Sequence, residues 1–304
     1  MGLSLVRFYF ARHPKMKIKN LLLILMTFAC GHPQHRTDFR FINKYSEIEV
    51  IGESKDPRLK ELSGLALSKA NKGFFWAHND SGDEPRVFLI DKNGAIHLTV
   101  NLTNAENIDW EDITIGEEEG RTLVFVGDIG DNRAQRENIQ IYAFDEPVLK
   151  DQQSNVMNLN AQKRTYTYKQ GPRDAETLFF DPIGNRLILV TKRDERVIVY
   201  PVEFGNGEGG ILNSNISLPI TQITGGDMSS NGEVLLKNYN EIYLIINRKS
   251  KSLYHFILHP EIVRVKYREE KQGEAICWDE KGEGFYVLSE WNDNEPQPFY
   301  YYHD

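Results

Sequence analysis

Asp109, Glu111 and Asp112 stand at the head of one apolar run, and Asp128 and Asp131 stand at the end of the next, all within Asn107–Asn132. The two runs flank a turn and read as an antiparallel hairpin. In such a hairpin the start of one strand lies beside the end of the other, so these carboxylates gather at one edge. Like charges gathered in a partly dry site repel. They must take up protons, pair with basic side chains or hold a cation. A hard cation such as Ca2+ suits them, because it takes six to eight oxygen ligands. A carboxylate that keeps its proton suits general acid–base work.

Variants of this hairpin recur along the chain. Each has a small or acidic residue, a short apolar strand, a turn, a second strand ending in polar residues, and a third strand. They begin at Leu62, Trp110, Asp174, Gly226 and Gly273. Asp181-Pro-Ile-Gly184, Ser230-Asn-Gly232 and Asp279-Glu-Lys-Gly282 supply the turns between first and second strands. Four-stranded sheets repeated at about 40 to 50 residues predict an all-β fold, a β-propeller. Fourth strands are expected at Ile96–Leu102, Lys163–Tyr168, Ile216–Thr221 and Val263–Tyr267. The fifth segment lacks one, and Tyr45–Ile51 is the spare strand. Five blades therefore close if that N-terminal strand pairs into the last blade and removes an edge. Six are possible if 39–56 and 206–218 hide a degenerate blade. A two-sheet sandwich gives no reason for the recurrence.

In a propeller the first strands line the central channel. Aligning them brings Ser63, Glu111, Glu176, Asp227 and Glu274 to one position. Ends of second strands should join them at the same mouth: His78 to Asp80 with Asp83, Asp128 with Asp131 and Asn132, Lys192, Lys237 and Glu290. Glu111, Glu176, Asp227 and Glu274 are then the candidate metal ligands. Glu176 or Asp128 is the candidate general base, with Lys192 beside it. His78, Asp80, Asp83, Glu111, Asp131, Asn132, Lys237 and Glu290 are the candidate binding residues. A single His argues against zinc. The structural alternative is that each acid caps the loop entering its own blade. Unlike partners favour a site: the first two blades share Asp-x-Gly-Asp (80–83, 128–131), whereas the third has Lys-Arg and the fifth Glu-Trp.

The chain has 304 residues and a formal net charge of -8. Phosphate backbones need clustered Lys and Arg, so nucleic acid is not the expected partner. Of two cysteines, Cys277 lies in an apolar strand pattern and reads as an inert buried thiol. Cys30 ends a charged-then-apolar segment in Ala-Cys-Gly, which resembles a bacterial lipoprotein cleavage site and predicts a signal segment over 1–30 with Cys30 lipidated and Met16 as the true start; a plain secretory signal, giving a secreted protein, or an uncleaved anchor is the alternative. Its apolar run, Leu21–Ala29, is too short to span a bilayer. A tether over 31–38 and one domain over 39–304 follow. Gly205–Gly210 reads as a flexible loop, and the aromatic tail Trp291–Asp304 as blade packing or a binding surface.

The series Trp110-Glu-Asp-Ile113, Gly127-Asp-Ile-Gly-Asp-Asn132, Asp174-Ala-Glu176, Gly225-Gly-Asp227 and Gly273-Glu-Ala275 resembles a group of secreted bacterial β-propeller proteins. That resemblance covers about residues 61 to 291 and implies no agreed activity. More distantly, a propeller with acids at its channel is similar to the gluconolactonase and senescence-marker class, whose members are calcium- or zinc-dependent lactone hydrolases. Those sites use Asn heavily, and this ring departs from them in being nearly all acidic. The expected protein is a monomeric lipoprotein of the bacterial cell envelope that binds a small molecule, glycan or envelope protein at its mouth. A metal-dependent hydrolase, lactonase- or esterase-like, is the second expectation.

Overall fold

A computed structural model describes residues 38–150, 155–205, 207–249 and 251–304. The signal segment, Cys30 and nearly all of the tether lie outside the described residues. Of the described chain, β1 (Glu47–Glu53) comes first, and β2 (Leu62–Leu67), β3 (Phe74–Asn79), β4 (Arg86–Asp91) and β5 (Ile96–Leu102) form the first blade. β6 (Trp110–Glu118), β7 (Arg121–Asp128) and β8 (Ile139–Asp145) start the second. The chain then leaves as β9 (Val156–Leu159), which pairs in parallel outside β5, and returns as β10 (Gln162–Tyr168) outside β8. The third blade holds β11 (Ala175–Asp181), β12 (Arg186–Thr191) and β13 (Val197–Val202). After β14 (Gly209–Leu212) it is closed by the short β15 (Ser217–Leu218). β16 (Gly225–Met228), β17 (Val234–Lys237), β18 (Ile242–Ile246) and β19 (Glu261–Val265) make the fourth, with the one-turn helix α1 (Leu253–Phe256) before β19. β20 (Gly273–Trp278), β21 (Gly284–Ser289) and β22 (Pro298–His303) make the fifth.

The ring is a five-bladed propeller. Its first strands meet in the cyclic order β2, β6, β11, β16, β20 and back to β2. β1 completes the fifth blade beside β22, with Ile48 opposite Tyr302 and Val50 opposite Tyr300. The N-terminal strand thus closes the ring, and no sixth blade forms from 39–56. Phe41 instead bridges to Arg264 outside β19.

Five hydrophobic clusters fill the five seams between blades. Successive side chains along a strand point to opposite faces. Hence Val124 packs with Trp76 and Trp110 toward the first blade, while Phe125 packs with Phe180 and Leu189 toward the third. The aromatic tail belongs to this packing. Phe299 lies in the seam with Phe75 and Phe88, and Tyr300 and Tyr302 lie in the seam with Tyr45 and Phe285. Cys277 is buried in the same seam as Phe299, and burial pushes its thiol up.

The sequence-based expectation for Gly205–Gly210 needs correction. Gly209 and Gly210 open β14, which runs parallel to β10 on the outer edge of the second blade. Gly209 has φ of +118, and a Cβ there would lie 1.8 Å from the Thr165 carbonyl oxygen. Glycine is required there for close backbone approach.

Candidate functional site

The residues that face the channel mouth are placed there by one repeated irregularity. In four first strands the pairing slips by one residue at the same point. Leu62 and Gly64 pair with Asn79 and His78, leaving Ser63 unpaired. Glu111, Glu176 and Glu274 are left over in the same way in β6, β11 and β20. A bulge bends its strand and re-aims the extra side chain. The fourth blade has no bulge, because Gly225, Gly226 and Asp227 pair in sequence with Lys237, Leu236 and Leu235.

Asp227 therefore does not join the ring. Its carboxylate accepts hydrogen bonds from the backbone N–H groups of Met228 and Trp278, each at 2.8 Å. Asp112 likewise accepts from the N–H groups of Ile113 and Leu178, both at 2.9 Å. Each is a clasp from one blade to the next. Asp227 lines a cavity of about 760 Å³, with Ile115, Phe180, Met228 and Lys69, at the turn-bearing end of the first strands. Burial lifts its pKa to about 7.

The mouth itself contains a connected group. Lys192 Nζ is bonded to Glu176 Oε2 and lies 3.4 Å from the Tyr239 hydroxyl. Tyr239 in turn donates to Glu274 Oε1 at 2.9 Å. Glu274 Oε2 is buried and has no hydrogen-bond partner among the described residues. Lys237 is fully buried. It faces Glu270 at 3.5 Å, and Glu270 also accepts from the hydroxyls of Tyr267 and Ser289. Glu270 sits outside the repeat, on the loop entering β20.

Asp128 pairs at 2.9 Å with Arg136, which also donates to the Gly130 carbonyl at 2.7 Å and to Gln140. Asp128 further accepts from the Asp109 N–H. Asp131 bonds across to Asp174 through its N–H and accepts from the Arg136 N–H, and Asn132 accepts from Arg193. Arg193 also holds Asp174. These residues sew the loop after β7 to the third blade. Asp83 is taken by Arg86 at 2.7 Å and by Asn79. His78 is enclosed between blades, edge-on to Trp110 at 5.8 Å. Burial lowers its pKa to about 4, so the ring is neutral.

What remains facing the mouth is Asp80, Asp109, Glu111, Glu176, Glu274 and Glu290. Burial, then Glu176, Asp80 and Asp109, pushes Glu111 well up. Burial, only partly offset by Lys192, lifts Glu176 to about 8. Burial and Glu274 lift Glu290 to about 8, while burial and Asp80 lift Asp109 to about 6. Two triplets have carboxylate oxygens within 4.8 Å of one another: Asp80, Asp109 and Glu111, and Glu111, Asp174 and Glu176. Asp109 and Asp174 carry signals in the sequence, being acids two residues before the ring position, but neither stands at the aligned position itself.

The fold and this mouth define a class: a five-bladed β-propeller with a buried acidic channel entrance. No protein-family profile matches the chain, and no curated protein sequence matches it. Among solved structures it is similar to a luciferin-regenerating enzyme, with a TM-score of 0.46 and 9% identity over 85% of this chain and 95% of that one. It is also similar to a gluconolactonase from Xanthomonas campestris, with a TM-score of 0.45 and 7% identity over 80% and 85%. The Pan2 WD40 domain of Neurospora crassa gives 0.42 and 8% over 87% and 98%. Such likeness concerns the course of the chain, and the chemistry of the mouth has to be read from its own residues.

Proposed function

We propose that this propeller is a binding protein of the bacterial cell envelope whose channel mouth takes up a ligand that brings positive charge with it. One observation carries the reading. Asp80, Asp109, Glu111, Glu176, Glu274 and Glu290 share the mouth, yet among the described residues only Lys192 forms an ion pair with any of them. A buried carboxylate without a counter-charge is costly, and a ligand that supplies the charge relieves that cost. The organic members of this ligand class are small polyamines, and the inorganic members are divalent cations such as Ca2+. Either bound at about 100 times its Kd stabilises a protein by ~2.7 kcal/mol. For a domain of this size that raises Tm by on the order of 5–10 °C. A melting series with spermidine, Ca2+ and a neutral disaccharide checks this: a cationic probe should raise Tm and the disaccharide alone should not. If neither cation moves Tm at pH 8, the reading fails.

The lipid anchor at Cys30 is part of the same proposal, because it would hold the propeller at a membrane surface. Cys30→Ser should move the protein from the membrane to the soluble fraction, and retention on the membrane would remove the anchor from the proposal.

Hydrolysis is the second reading, favoured by Glu176. Its pKa of about 8 lies near neutral pH, and it touches both Lys192 and the mouth. That is where a general base works best. Asp128, closed off by Arg136, is not a candidate under this reading. Turnover of an aryl ester or lactone that survives Glu176→Gln would remove it.

A further inference from the structure

The two acid triplets share Glu111 but differ in what surrounds them. Asp174 is held by Arg193 and by the N–H of Asp131, and Glu176 by Lys192. That side of Glu111 already has its positive charge. On the other side, the Asp80 carboxylate is bonded only by Ser81 among the described residues, through its N–H and its hydroxyl. The carboxylates of Asp109 and Glu111 accept none from the described residues. Glu111 is only 4% exposed. Its oxygen is aimed into the triplet: a Cβ on Gly130 would lie 2.1 Å from Glu111 Oε1 and 2.5 Å from Asp109 Oδ2. Across the mouth, the unpartnered Oε2 belongs to Glu274, which is 6% exposed. Buried carboxylate oxygens without donors mark a place where something else supplies the charge.

We infer that Asp80, Asp109 and Glu111, backed by the bare backbone of Gly130, form a single divalent-cation site of the Ca2+ type at the seam between the first and second blades. The inference rests on the proposed uptake of positive charge at this mouth and names its inorganic ligand. Oxygens bound to one Ca2+ at about 2.4 Å can be at most ~4.8 Å apart, and the triplet's donor atoms all fall within 4.8 Å. Three carboxylates leave coordination positions for water and for ligand oxygens. Lys192 and Arg193 occupy the charge position on the far side of Glu111, so the site takes one ion and not a bridged pair. The assignment differs from a symmetric ring of Glu111, Glu176, Asp227 and Glu274, because three of those four already hold a donor each: Glu176 has Lys192, Glu274 has Tyr239 and Asp227 has two N–H groups.

The test uses the full chain, CaCl2 titration by calorimetry, and Tb3+ luminescence excited through Trp110, the neighbour of Glu111. One ion per chain is expected. Asp109→Asn and Glu111→Gln should each weaken Ca2+ binding at least tenfold, and Gly130→Ala should do the same by filling the cradle. Glu117→Gln, exposed near the turn end of β6, should leave the triplet's ion bound. Melting in chelator separates a ligand role from a structural one. There Asp109→Asn should melt at or above the wild type, because a repelling charge is gone, whereas in Ca2+ the order should reverse. The inference is overturned if Ca2+ gives no heat and Tb3+ no sensitised emission. It is equally overturned if Asp109→Asn lowers Tm as much in chelator as in Ca2+. If spermidine raises Tm while Ca2+ does not bind, this inference falls and the proposed uptake of positive charge stands.

Discussion

Arg136→Met is expected to lower the stability of the propeller by about 3–5 kcal/mol, the cost of leaving a buried charge without its partner. Asp128 is completely buried, and Arg136 is the only basic side chain within 4 Å of its carboxylate among the described residues. The same guanidinium ties down the carbonyls of Asp128 and Gly130 and the side chain of Gln140. Its own side chain is 16% exposed, so solvent screens the pair little. Burial already raises the Asp128 pKa. Without Arg136 the carboxyl would rise further and take a proton, so the loss should be smaller at pH 5 than at pH 8. Urea unfolding at the two pH values measures both effects. Asp128→Asn combined with Arg136→Met should recover at least ~1 kcal/mol of the single-variant loss, as residues in one contact are coupled. A wild-type midpoint for Arg136→Met would show that the pair does not hold the loop.

Lys192→Met should be comparably damaging at alkaline pH, and the dependence on pH is its diagnostic. Lys192 is the cation bonded to Glu176, and both side chains are nearly closed to solvent. For Glu176 the folded pKa is about 8 against an ordinary 4.5, and for Glu290 it is also about 8. Between these values the folded protein holds protons that the unfolded chain has released. Stability must then fall as pH rises from about 5 to about 8. In chelator the wild type should follow this decline, by on the order of a few kcal/mol in all. Removing Lys192 raises the Glu176 pKa further, so the decline should extend above pH 8. The variant should be close to wild type at pH 5, where Glu176 is neutral, and about 3–5 kcal/mol less stable at pH 9. Tm measured from pH 5 to 9 decides it: a wild-type Tm that climbs between 5 and 8 in chelator would contradict the protonated mouth.

These variants fall on residues that the chain announces unequally. Lys192 closes a second strand beside a ring position, and its bond to Glu176 follows from the hairpin register. Arg136 and Arg193 sit in or next to loops, where spacing does not say which carboxylate a long flexible side chain will reach. Glu270 and Tyr239 reach the mouth from loops in the same way.

The amino-acid sequence by itself determined the repeat, a propeller of five or six blades, the closing N-terminal strand and the set of acids at the heads of the first strands. Each of these follows from local rules: the alternation of faces along the strands, as at Val124 and Phe125, and the glycine and asparagine turns between them. Only the tertiary structure decided which acids meet. Asp227 aligns with Glu111 in sequence, but without a bulge its carboxylate points to the neighbouring blade's backbone, while Glu111 is turned into the mouth beside Asp80 and Asp109. A one-residue slip in register exchanges the faces of a strand, and spacing along the chain does not show where that slip falls.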